Sequence, residues 1–183
     1  MSALFHWGNA LRIACVDVDY RPDMAVAAAI WFRGWDAAVA EAQAVAGFRG
    51  GVAPYEPGAF YLRELPCLLG VLREGPPADL VIVDGYVSLD EGRAGLGAHL
   101  HQALDCQTPV VGVAKTRYRS ASNTVEVLRG TSSSPLFVTA VGIDVAVAAD
   151  EVRRMHGPHR VPTLLRSVDQ LARHELPTRL IEH

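Results

Sequence analysis

Apolar residues fall along this chain in short runs, and the period of each run suggests its element. Residues 12–20 (RIACVDVDY) and 24–32 (MAVAAAIWF) are apolar and strand-like. Arg21-Pro22-Asp23 between them has turn composition, because proline presets φ and aspartate tolerates turn geometry. Together they predict a β-hairpin. Residues 36–46 are rich in alanine and score as helix on propensity, yet Val39, Glu41, Gln43 and Val45 also permit a third strand, so the type stays open.

Gly50-Gly51 and residues 54–58 (PYEPG) make an irregular loop, since proline removes donors and glycine opens unusual backbone angles. A helix is predicted over 66–73, with Pro66 in its first turn and Glu64 just at its entrance. Residues 80–84 (LVIVD) form a continuous apolar run ended by Asp84 and Gly85, the pattern of a central strand buried on both faces. Helices are expected over 94–105, 144–155 and 164–174, and strands over 109–114 (PVVGVA), 124–128 and 136–139. Residues 120–124 and 130–135 read as loops. Strands come first and alternation follows, which predicts a mixed α/β sheet.

With 183 residues, half of them hydrophobic, one full core and a single domain over 1–183 are expected. The formal net charge of −3 argues against a global positive field, so any nucleic-acid surface must be local. Cys15, Cys67 and Cys106 are odd in number, lie in apolar surroundings and lack paired metal spacing, which fits buried reduced thiols and a cytoplasmic protein. Residues 1–10 lack a basic segment followed by an apolar one, and no apolar run spans a bilayer, so neither secretion nor a membrane is expected.

Asp17 and Asp84 sit inside hydrophobic strands (ACVDV and VIVDG), where an uncompensated carboxylate costs several kcal/mol. Two readings compete on even terms: pairing with Lys or Arg, or a hard cation. Oxygen ligands of this kind suit Mg²⁺, with Mn²⁺ as an alternative, and point to phosphodiester hydrolysis.

The run PYEPGAFYLRELP, residues 54–66, resembles the endonuclease V family, whose loop reads Pro-Tyr-x-Pro-Gly and continues into Phe/Leu-Arg-Glu-x-Pro. VDVDY, DLVIVDG, GLGAHL with GVAK, and PLFVTAVG followed by HRVPTLLRSVDQLA are similar to further blocks of that family, in order. The resemblance implies a ribonuclease H-like mixed β-sheet flanked by helices, and Mg²⁺-dependent cleavage 3′ to a deaminated nucleotide, typically inosine, in DNA or RNA. It implies Asp17, Glu64 and Asp84 as metal-binding and catalytic acids, and Lys115 as a catalytic lysine near the scissile phosphate. It also implies Tyr55 as a wedge into the base stack, and Gly58 and Gly95 as backbone positions around the base pocket.

Lys115, Arg117 and Arg119 (KTRYR) form a cationic, Tyr-bearing loop suited to phosphate, which Arg153, Arg154 and Arg160 are expected to extend. A monomer acting on nucleic acid is the expectation. The chain departs from the family where Tyr86 and Val87 replace a His-Gly pair, Asp90 replaces a His, and Ile143 stands where a His follows Gly. Asp90, Asp144 and Asp19 are candidate substitutes for the missing ligands, although Asp144 also reads as a helix N-cap. These departures motivate two alternatives: a catalytically weak paralogue that binds nucleic acid or a partner without lesion-specific cleavage, and a nuclease with altered structure specificity.

Overall fold

The hairpin at the start of the described chain seeds an eight-stranded sheet. In the computed structural model, which describes residues 11–49, 61–90, 92–118 and 123–182, β1 (Arg12–Tyr20) pairs antiparallel with β2 (Ala25–Arg33). Strand β3 (Ala42–Arg49) continues the meander beside β2. The alanine-rich stretch with open type is therefore a strand from Ala42 onward, because antiparallel pairing with β2 outweighs the helical preference of alanine.

On the other side of β1 lie β4 (Leu80–Val83) and β7 (Val110–Ala114), both parallel to it, then β9 (Leu136–Val141) and β8 (Val125–Val127), both antiparallel. A strand absent from the sequence reading, β10 (Arg179–Glu182), closes the far edge parallel to β3, giving the order β10-β3-β2-β1-β4-β7-β9-β8. A two-stranded ribbon, β5 (Ser88–Asp90) with β6 (Arg93–Ala94), stands apart.

Helices cover both faces. One face carries α1 (Tyr61–Leu72) and α2 (Leu96–Ala103), packed through Leu68, Val71 and Leu100 on Ala14, Val16 and Val81. The opposite face carries α3 (Val145–Arg154) and α4 (Thr163–His174), packed through Val152, Leu164 and Val168 on Ile13, Cys15 and Ile82. Alternation along β1 sorts these contacts: odd-numbered residues face α3 and α4, even-numbered ones α1 and α2.

Helix α1 starts earlier than predicted, and Pro66 lies inside it. Its buried stripe Glu64, Cys67, Leu68 and Val71 follows helical spacing, and burial of that stripe against the sheet offsets the bond that proline omits. Cys15 and Cys67 are buried as expected, but Cys106 is exposed: it falls in the turn after α2, with φ of 56°. Among the described residues no helix is long and apolar enough to cross a membrane.

Candidate active site

Strand periodicity brings the first two acids together. β1 and β4 run parallel with Val16 opposite Val83, and the next residues are Asp17 and Asp84. Each follows the face of the residue two before it, Cys15 or Ile82, so both carboxylates project toward α4. There they meet Asp169, one position after the buried Val168. Carboxylate oxygens of Asp17, Asp84 and Asp169 lie within 4.8 Å of one another.

Asp169 is the residue the sequence reading missed. It lies within the family-like run HRVPTLLRSVDQLA, and the amphipathic period of that helix was visible, but nothing in the spacing said which sheet residue it would face.

Lys115 follows directly after β7, so its side chain starts at the same C-terminal edge of the parallel strands. Its Nζ donates to Asp84 Oδ2 at 2.7 Å and to Asp169 Oδ1 at 3.4 Å. Burial works against the ammonium, but the hydrogen bond to Asp84 and the charges of Asp84, Asp169 and Asp17 outweigh it and hold the pKa above the ordinary lysine value. Lys115 is also the only lysine in the sequence.

Glu64 enters from the opposite helical layer and is buried beside this trio. Burial, then the charges of Asp17 and Asp84, push its pKa up to about 8. Burial, then Asp84, pushes Asp17 up to about 7, against the bond its carboxylate accepts from Val18 N at 2.9 Å. Besides Lys115, Arg173 reaches Asp169, with Nη2 at 3.1 Å from Oδ1. The cleft at the acids has an apolar floor of Ile82, Val113, Leu136, Val161, Leu165 and Val168, which keeps local screening low.

This donor set suits a hard divalent cation. It offers oxygen ligands only, one each from β1, the end of β4 and α4, and two of the four neighbouring acids resist ionisation without further positive charge. Asp17, Asp84 and Asp169 are the residues that would hold the ion, with Glu64 adjacent.

The other candidates fall elsewhere. Asp144 caps α3, its Oδ1 accepting from Ala146 N at 2.9 Å and Val147 N at 3.1 Å. Asp19 pairs with Arg21 at 3.9 Å, and Asp90 ends β5. Ile143 packs against the core, and Val87 is buried beside α2 with its N–H on Thr139 Oγ1 at 2.8 Å.

Gly95 is needed for a close backbone approach, since a Cβ there would sit 2.4 Å from Tyr86 O. Arg117 is exposed and meets Glu126 at 3.2 Å. Tyr55, Gly58 and Arg119 lie outside the described residues.

Arg160 does not extend the cationic loop as expected. Its guanidinium is taken up by the carbonyls of Lys115 and Pro135. Arg153 and Arg154 pair with Asp150 and Glu151 on their own helix.

The sequence pattern of the endonuclease V family matches residues 6–155. Endonuclease V of Streptomyces coelicolor is 38% identical over 141 residues, 74% of this chain but 58% of that protein, so the match spans little more than half of the relative's length. The crystal structure of endonuclease V from Streptomyces avermitilis superposes with a TM-score of 0.74 at 27% identity, covering 90% of this chain and 81% of that one. Endonuclease V of Ciona intestinalis, solved in complex with a DNA containing an inosine followed by a ribo-adenosine, shares the fold with a TM-score of 0.73 at 16% identity, covering 88% and 83%. The mixed sheet with helices on both faces is the ribonuclease H-like arrangement of these structures.

Proposed function

The chain belongs to the endonuclease V family, and on that premise we propose that it is a Mg²⁺-dependent endonuclease hydrolysing a phosphodiester bond 3′ to a deaminated, inosine-type nucleotide in DNA or RNA. Mn²⁺ is the alternative ion. The observation that carries the reading is the convergence of Asp17, Asp84 and Asp169, from three separate elements, around the sole lysine.

Asp17, Asp84 and Asp169 would hold a divalent cation, which when bound would supply positive charge to polarise the phosphoryl group and lower the pKa of a nearby water. The chain's own groups do the rest. Asp17, Asp84 and Asp169 bind and orient. Lys115 is poised to donate its N–H bonds to phosphate oxygens as charge develops on them, in a cleft whose apolar floor strengthens the interaction. Glu64, buried beside the trio, is suited to hold or release a proton near the reacting oxygen. Arg117, exposed two residues beyond Lys115, is suited to contact the phosphate backbone. Tyr55 as wedge and Gly58 beside the base belong to the same reading.

The test is cleavage of a labelled inosine-containing strand beside an undamaged one, with Mg²⁺, Mn²⁺ or EDTA. Cutting confined to the inosine strand, requiring a divalent ion and lost in Asp84→Ala, is expected. An Asp84→Ala protein as fast as the parent, or a parent that cuts neither strand, overturns the reading.

A further inference from the structure

Residues 115–118, directly after β7, have no regular structure, yet they carry the one lysine of the chain, and a lysine has four rotatable side-chain bonds to misplace its charge. Something must fix its backbone. Tyr86 does so from a neighbouring loop, two residues after Asp84. Its ring is buried in a small cluster with Ala114, the residue before Lys115, and Phe137.

Tyr86 reaches this position because the chain turns sharply at Gly85, whose φ of 143° favours glycine. Its hydroxyl uses both hydrogen-bonding capacities on the segment following Lys115: it donates to Thr116 O at 2.8 Å and accepts from Tyr118 N at 2.9 Å. Both distances are those of well-formed bonds. The preceding carbonyl, of Lys115 itself, is held by Arg160. The peptide groups around Lys115 are thus tied from two sides, and the ammonium falls on Asp84 and Asp169.

We propose that Tyr86 is a positioning residue for Lys115: by clamping the peptide groups that follow Lys115, its hydroxyl aims the ammonium at Asp84 and Asp169. Its effect on cleavage rests on the nuclease reading above; its effect on the lysine does not.

The sole lysine makes the test direct. Protein labelled with ¹³C at the lysine ε carbon gives one such resonance, from Lys115, displaced from that of free lysine by the two carboxylates. Tyr86→Phe keeps the ring and removes both bonds. The expected result is a shift of that resonance toward the free-lysine position, with kcat on an inosine strand lower by about 10–100-fold and KM within about threefold.

Tyr118→Ala, which keeps the backbone N–H, is expected to leave the resonance in place. An unmoved resonance in Tyr86→Phe overturns the proposal, as does an equal shift in Tyr118→Ala, which would assign the positioning to ring packing. A moved resonance in a parent that cleaves nothing supports the clamp while refuting the nuclease reading. Amide exchange in the parent gives an independent check: Tyr118 N–H is expected to be protected, and free exchange there overturns the proposal even if the Phe variant does not fold.

Discussion

Lys115 Nζ lies 2.7 Å from Asp84 Oδ2, joining residues that follow two neighbouring parallel strands, β7 and β4. The pair sets a cation among acids at the edge where the parallel strands end, the position at which open α/β sheets gather their ligands.

Lys115→Ala is expected to lower kcat by about 10²–10³-fold, the scale of losing one preorganised charge at a developing anion. Lys115→Arg is expected to recover little of that, because a planar guanidinium is bulkier and spreads its charge. Single-turnover rates at saturating substrate would check both; a fully active arginine variant would show that only the charge matters.

Asp169 and Asp144 separate a site acid from a capping acid. Asp169→Ala is expected to weaken Mg²⁺ affinity by at least about tenfold, read by calorimetric titration. Asp144→Ala removes two bonds to the first turn of α3 and is expected to cost about 1 kcal/mol of stability with the cleavage rate kept. Reversed phenotypes would move the metal centre to the start of α3.

The metal-free protein is expected to lose stability as pH rises. Asp17 and Glu64 titrate at about 7 and about 8 when folded, against about 4 when unfolded. Between about pH 4 and 8 the folded state therefore binds more protons, and unfolding becomes easier with each rise in pH. Mg²⁺ needs the ionised carboxylates, so its gain in Tm is expected to be larger at about pH 8 than at about pH 5.5. Thermal melts in EDTA and in Mg²⁺ would show it; a flat EDTA profile would show that neither burial nor mutual repulsion raises these acids.

Arg129 is a structural counterpart to Lys115. It is buried, and its guanidinium donates to the carbonyls of Arg153 at 3.2 Å, His159 at 2.8 Å, Gly157 at 3.1 Å and Arg160 at 3.3 Å, and to Met155. Arg129→Met leaves these acceptors without their donor and is expected to cost about 3 kcal/mol, a fall in Tm of roughly 6–12 °C for a chain of this size. Arg129→Lys is expected to recover little, since an ammonium cannot span the same carbonyls. A melt unchanged in either variant would show that water replaces the guanidinium.

Much of the architecture is legible in the sequence because it depends on local periodicity. The apolar run RIACVDV set Asp17 in a strand, the continuous run LVIV set Asp84 at the end of one, and the apolar stripe Leu164, Val168 and Ala172 set the last helix. The family-like loop pointed to Glu64, and the single lysine was there to be counted. Boundaries were less legible where local preference and tertiary gain disagree. Pro66 signalled a helix start, yet burial of the Glu64 to Val71 stripe carried the helix past it. Alanine favoured helix over 36–46 while the alternating residues permitted a strand, and pairing with β2 decided for a strand from Ala42.

What only the tertiary structure decided is which acid completes the trio and what aims the lysine. Asp144, Asp90, Asp19 and Asp169 are equivalent as letters. Asp169 is selected because α4 packs on the face toward which Asp17 and Asp84 project, whereas Asp144 spends its carboxylate on its own helix. Likewise Tyr86 and Arg160 read as a substitution and a surface cation, and their hold on the peptides around Lys115 exists only once the ends of β4 and β7 lie side by side. A sequence fixes each residue's local periodicity; contacts between residues far apart in the chain follow from how the layers pack.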